Sequence, residues 1–360
     1  MIGFTLAQYL SVRFLRTIFG VFATVFALIY TIDFVELMRR AGDAPGATAA
    51  TMAQLALYRT PSVTEQILPF AVLFGSMATL LALSRKLELV VVRSAGVSVW
   101  GFLQPPVIVA LLVGGIATTL YNPLSAYLKQ RSVEIESTIF TRGQRAGGKD
   151  VWLRQRSVDG QSILRANGVE RDGLTLINVT VFAFDDRGGF RERVEAASAR
   201  IEDGHWTLTD ARVVTLGAVP QSHGAYQIAT YLRPEQIRES FTSPQGVPFW
   251  QLPGLVDRTE KAGLDASRYK LQYQSLLALP LLLVAMVIIA STVSLRFFRM
   301  GGVARLVLGG IAAGFMLYVT KELVEDLGKG GLLNVPVAAW SPAVVGCLVG
   351  SLALLHQEDG

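Results

Sequence analysis

Six stretches of this chain carry no charged residue over a length that crosses, or nearly crosses, a bilayer. They are Thr17–Ile32, Gln66–Ser84, a span within Ser94–Leu128, Leu276–Leu295, Leu306–Thr320 and Leu332–Leu355. A hydrocarbon core ~30 Å thick takes about 20 apolar residues of helix, and shorter runs are completed by flanking cations that reach back to the headgroups. Arg305 and Lys321 bracket the short fifth stretch in that way. The chain is 51% hydrophobic and 17% charged, with a mean hydropathy of +0.42, against roughly 25% charged residues in soluble domains. A multi-pass membrane protein with six transmembrane α-helices is expected.

Six spans place both termini on one side, and the bias of Lys and Arg in short flanks says which. With the N-terminus inside, the inner flanks carry eight cations (Arg13, Arg16, Arg85, Lys86, Arg93, Arg296, Arg299, Arg305). The outer flanks carry five (Arg39, Arg40, Arg59, Lys321, Lys329). Cytoplasmic N- and C-termini in the inner membrane are therefore expected. The opening MIGFTLAQYLSVRFLRTIFG is basic before an apolar run, but Asp33, Phe34, Val35 and Glu36 follow where a signal peptide has small residues. It reads as a retained first span preceded by a short interfacial helix. The net charge of +5 comes from cations that punctuate the spans, which points to anionic headgroups and away from nucleic acid.

From Lys129 to Asp265 the pattern changes to short alternating runs such as LTLINVTVFAFD and ARIEDGHWTLTDARVVTL, separated by Asp159-Gly160, Asp172-Gly173, Arg187-Gly188-Gly189 and Asp203-Gly204. An all-β domain, as a sandwich, a jelly roll or an open half-barrel, is expected between the third and fourth helices, outside the inner membrane. The domains are then 1–128 with three helices and a connecting helix at 84–96, 129–265 with the β domain, and 266–360 with three more helices. Cys347 is the single cysteine, so no internal disulfide is possible.

Catalytic motifs are lacking. Gly143, four residues and Gly148-Lys149 approach a phosphate-binding loop, but Asp150 stands where Ser or Thr would hold Mg²⁺. His205, His223 and His356 form no HExxH pair, and Ser76 has no histidine base within a span, so close helix packing explains it better. No enzyme, cofactor or metal is expected.

Two charged segments remain. In DFVELMRRAGD, residues 33–43, Arg39 and Arg40 stand where the first helix leaves the hydrocarbon; they either snorkel to headgroups or bind the phosphates of an anionic amphiphile in bidentate fashion. The acids Glu322, Glu325 and Asp326 near Lys321 are placed to neutralise those arginines. The segment SRKLELVVVRSAG, residues 84–96, is too charged to span and too apolar for a loop. It reads as an amphipathic helix that offers Leu87, Leu89, Val90 and Val91 to a groove, with Arg85, Lys86, Glu88 and Arg93 around them and Gly96 at its end. Anionic lipid repels Glu88, which favours a protein partner over a helix lying flat among headgroups.

Six spans split three and three, a β insert between them, and SRKLELVVVRSAG between the second and third together resemble the LptF/LptG permease family of the lipopolysaccharide exporter. FVELMRRAGD and the short C-terminal tail favour the LptG branch over the LptF branch. The resemblance implies a heterodimer with an LptF-like permease, a cavity for lipopolysaccharide, a cytoplasmic LptB-like ATPase dimer that binds the ATP and Mg²⁺, and an LptC-like protein at the β domain. It implies that Arg39 and Arg40 contact phosphates or sugars of the lipid. The family often has Lys there, which keeps the charge and changes the binding geometry. It further implies that Arg131, or else Lys129, does the same where the third span meets the β domain, and that Glu88 faces the ATPase with Arg85, Leu89 and Arg93 beside it. Phe26, Phe315 and Leu317, from the first and fifth spans, are candidates for the apolar lining. A membrane scaffold for periplasmic partners that transports nothing is the rival reading.

Overall fold

A computed structural model of the chain describes residues 3–42, 47–140, 151–157, 160–169, 174–185, 189–202, 204–215, 219–231, 246–261, 265–295 and 303–358. The glycine–lysine segment at 143–149 lies outside them, as do Arg187, Gly188, Asp203 and the Asp172-Gly173 turn. The chain divides into two compact units: one of Met1–Gly42, Thr48–Ser132 and Pro244–Gly360, the other built on Val133–Ser243.

Among the described residues six helices are long and apolar enough to cross a membrane: Phe4–Ala41, Ala49–Arg85, Val99–Glu136, Ser267–Ser294, Val307–Lys329 and Val335–His356. They lie in α1 (Phe4–Ala41), α2 (Ala49–Arg85), α4 (Val99–Ile116) continued through a π-turn (Ala117–Tyr121) into α5 (Asn122–Phe140), α7 (Ser267–Leu295), α8 (Val303–Lys329) and α9 (Val335–Glu358). Among the described residues two short helices join them: α3 (Glu88–Ser94) between the second and third spans, and α6 (Leu252–Lys261) before the fourth. The expected interfacial helix before the first span is instead continuous with it. No proline interrupts Phe4–Ala41, and in a bilayer the cheapest way to satisfy backbone groups is to continue the ladder.

Small residues set how closely these helices approach. A Cβ on Gly75 would lie 2.7 Å from the Ile18 Cα, and one on Gly114 would lie 2.5 Å from the Pro280 Cα. Each glycine thus admits the backbone of a neighbouring span, the usual packing device where lipid removes the hydrophobic drive between helices. Ser76, beside Gly75, is wholly buried.

The boundary of the β unit is narrower than the sequence pattern. Residues 246–261 belong with the helices, because Val247, Phe249 and Leu252 form one buried cluster with Tyr269 and Leu276 of α7. Among its described residues the second unit carries six antiparallel strands in sequential order: β1 (Val151–Ser157), β2 (Gly160–Val169), β3 (Thr175–Phe184), β4 (Phe190–Glu202), β5 (His205–Thr215) and β6 (Gln221–Ala229). The in-and-out alternation slips once, along a line across three strands. Asn178 and Asp210 have φ of 50° and 53°, and the strand register places Ala197 opposite both. Before the slip Val194, Ala196, Trp206 and Leu208 point inward; after it Ala199, Ile201, Ala211 and Val213 do. Asn and Asp tolerate the left-handed conformation that this requires. The sheet curls so that side chains link its two edges without strand pairing: buried Gln155 of β1 accepts hydrogen bonds from the Trp206 indole (3.0 Å) and from the Thr230 hydroxyl (2.6 Å), just beyond β6. The all-β insert is therefore an open half-barrel wound as a meander.

Candidate functional site

Along the first span no residue between Ile18 and Leu37 is buried. At 1.5 Å per residue that interval is roughly 27 Å long, close to the thickness of the hydrocarbon core. Phe19, Leu28, Ile32 and Val35 project from it, each more than half exposed. The fifth span is the next most open, with Leu308, Phe315, Met316 and Leu323 exposed. Of the expected lining residues, Phe315 is on this open surface and Phe26 is half-buried, 6.4 Å from the Phe22 ring. Leu317 is turned the other way, buried where its Cδ atoms fill the space beside Gly346 of the sixth span.

At the C-terminal end of the first span the charges pair locally. The Arg39 guanidinium donates to Glu36, three residues back, at 2.7 Å, and Arg59 of the second span lies 3.5 Å from Asp33. Arg40 is exposed beside them. The acids of the fifth span do not serve Arg39 as expected: Lys321 holds Glu325 at 3.0 Å and Glu322 at 3.2 Å, and Ser275 donates to Glu325 at 2.8 Å. Lys321 and Glu325 are i,i+4 neighbours, about one helical turn apart on one face, which brings this pair together within its own helix. Lys129 is half-buried within electrostatic reach of Glu65 and Arg59 of the second span. Exposed Arg131 stacks over Tyr127 at 5.6 Å and donates to its hydroxyl at 3.3 Å. Glu65, unremarked in the sequence pattern, accepts hydrogen bonds from Asn122 (2.7 Å) and Ser125 (2.6 Å) just after the π-turn.

At the other end of the first span lies α3. It starts from Leu87, whose φ of 61° is left-handed, and stops at Ala95 and Gly96, with Gly96 at φ 80°. Glu88, its first residue, suits the positive end of the helix dipole. Its Oε2 accepts from Arg13 Nη1 and from the Tyr9 hydroxyl, both at 2.9 Å. Partial burial alone would raise the Glu88 pKa, but Tyr9 and Arg13 outweigh it and hold the carboxyl below the ordinary 4.5. Leu89 corrects an expectation: it is buried in the bundle core with Leu10 and Phe14, so it anchors α3 and offers nothing outward. Leu87, Val90, Val91, Arg85 and Arg93 face outward. No local signal announced Arg13 and Tyr9, because their partner is more than seventy residues away.

Residues 8–356 match the family described as lipopolysaccharide export system permease LptF/LptG. The chain belongs to that family. Relatives include the lipopolysaccharide export system permease protein LptG of Haemophilus influenzae, 24% identical with 98% of this chain and 96% of the relative covered. LptG of Escherichia coli K12 is 23% identical, with 89% and 90% covered. The open first span, the curled β unit and the exposed α3 are thus features of a permease of the lipopolysaccharide export system.

Proposed function

We propose that this chain is the LptG-type subunit of an ATP-driven exporter, paired with an LptF-like permease, and that lipopolysaccharide leaves the inner membrane along the open face of its first span. The observation that carries this reading is the interval from Ile18 to Leu37, where over a bilayer's thickness of apolar helix no residue is fully buried and one side lacks cover from the rest of the chain. The LptG assignment is supported by relatives that bear that name and by FVELMRRAGD. In this reading the termini and α3 are cytoplasmic and the β unit is periplasmic, where an LptC-like protein meets it. An LptB-like ATPase dimer, which holds the ATP and Mg²⁺, docks on the outward groups of α3: Arg85, Leu87, Val90, Val91 and Arg93.

The side chains then divide the work. Acyl chains lie against the apolar stretch, with Phe26 and Phe315 as contacts, and they leave when the cavity narrows. Arg39 and Arg40 take phosphates. The exposed i,i+3 pair of Arg39 with Glu36 is worth only about 0.3–0.5 kcal/mol, so a bidentate phosphate displaces Glu36 readily. Arg131 and Lys129 bind the headgroup where the third span ends.

The test is ATP-dependent lipopolysaccharide release from vesicles holding the complete complex. Arg39→Glu together with Arg40→Glu is expected to lower release roughly ten- to a hundredfold, the worth of one or two charge-assisted bonds, with assembly intact. Unchanged release by an intact complex would remove these arginines from the path. Absence of any ATP-dependent release by the unaltered complex would favour the scaffold reading.

A further inference from the structure

We propose that Arg13, steadied by Tyr9, is the positioning residue through which movement of α3 reaches the first span. The inference rests on the exporter reading above and adds the intrachain link that it needs.

Glu88 turns toward its own chain. One carboxylate oxygen receives both the Arg13 guanidinium and the Tyr9 hydroxyl at 2.9 Å, and the Arg13 guanidinium also packs over the Tyr9 ring at 5.6 Å. Tyr9 and Arg13 are four residues apart, so they lie one turn above another on one face of α1 and meet the same acceptor. As a contribution to stability such a pair is small, since exposed ion pairs are worth ~0–1 kcal/mol. Its importance is in what it connects. The Arg13 side chain is 20% exposed and Glu88 32%, and apolar neighbours on both partners are buried in one core: Leu10 and Phe14 beside Arg13, Leu89 beside Glu88. The polar bridge therefore closes over packed side chains, and α3 has an inward side fixed to the first span and an outward side available to a partner.

The first span is built to respond. Its N-terminal part is held through Leu10, Phe14 and Ile18, and Ile18 meets Gly75 with no room for a Cβ. Beyond Ile18 nothing is buried until Leu37. Arg13 is five residues before Ile18, roughly 7.5 Å along the helix axis. A displacement applied at Arg13 is thus applied on one side of a tight contact, and the uncovered stretch lies on the other. Two charges joined through one carboxylate oxygen transmit both a pull and a push, which apolar packing alone does not.

The test is a charge exchange in the complete complex with the partner permease and the ATPase. Nitroxide labels at Leu28 and Val63, exposed sites on the first and second spans, report distance with and without ATP plus vanadate. Lipopolysaccharide release is measured separately. Arg13→Glu and Glu88→Arg are each expected to abolish the ATP-dependent distance change and to lower release about tenfold, a typical coupling energy. The double variant Arg13→Glu with Glu88→Arg is expected to restore both, and Arg13→Gln and Glu88→Gln give the milder comparison should either reversal hinder folding. A double variant no better than the singles overturns the proposal. So does loss of the ATPase from Glu88→Arg with full coupling in Arg13→Glu, because Glu88 would then serve the ATPase directly. An ATP-dependent distance change rescued by the exchange, in a complex that releases no lipopolysaccharide, keeps the link and removes the exporter reading.

Discussion

The first and second spans have nearly the same mean hydropathy, 2.1 and 2.0, yet 6% of the first span's most apolar window is buried within the chain and 67% of the second's. Both face a solvent of lipid tails, so hydropathy places each in the membrane and says nothing of what covers it. The difference lies in how many sides of each helix carry neighbours. Around its midpoint the second span reads AVLFGSMATL, with Ala71, Gly75, Ser76 and Thr79 buried, and neighbouring helices come close enough to enclose it. The first span reads FGVFATVFALIY over the corresponding stretch; one side of it packs on its neighbours, with Phe22 against the core, while Phe19, Leu28 and Ile32 stay exposed. One helix is the centre of the bundle; the other is a wall with one side uncovered.

Truncating a leucine on each helix probes this contrast most strongly. Leu73→Ala, at a fully buried site facing Gly314 of the fifth span, is expected to cost about 2–5 kcal/mol, the range for a core cavity. Leu28→Ala, on the open face, is expected to stay within ~0.5 kcal/mol. Thermal unfolding of the purified chain in detergent compares the two, and equal costs would mean that the first span is no more open than the second.

Much of this arrangement was legible in the sequence. Long uncharged runs located all six spans, because charge at the bilayer centre is too costly to hide. Period-two runs located β3, the end of β4 and β5. What was not legible depended on contacts between distant residues. Leu317 was expected on the lining because a membrane helix is apolar all round, and Leu89 was expected outward because α3 has apolar residues on more than one side; only the neighbours decide which side is buried. The line of Asn178, Ala197 and Asp210 that bends the sheet is a register between strands and leaves only a slip of alternation in each. Nor did the sequence pattern show that Val247, Phe249 and Leu252 pack on Tyr269 and Leu276 of α7.

A smaller effect is expected at the contact between the two spans. Gly75→Ala brings a Cβ to 2.7 Å from the Ile18 backbone, and overpacking of this kind costs roughly 1–3 kcal/mol. If the Ile18 contact is the fulcrum of the first span, this variant lowers lipopolysaccharide release more than its modest loss of thermal stability accounts for. Parallel losses would make Gly75 a packing residue alone.

The smallest effect concerns pH. The Glu88 carboxyl is held below its ordinary 4.5, so its bridge to Arg13 contributes above the unfolded value and is lost as pH falls through the lower folded value. The bridge is therefore constant between about pH 6 and 8, where carboxylates stay ionised. Label distances in the nucleotide-free complex are expected to be flat over that range. A shift near neutrality would mean that Glu88 is not held as described.

The central claim, that the uncovered stretch of the first span is the lipopolysaccharide path, is tested most directly by site-specific photocrosslinking in vesicles containing the complete complex. A photoreactive residue is placed at Phe19, Leu28 or Ile32 on the open face and at Leu73 in the bundle core. Lipopolysaccharide adducts are expected from the three open positions, declining when ATP is supplied, and none from Leu73. Phospholipid adducts alone at all three open positions, unaffected by ATP, would contradict it.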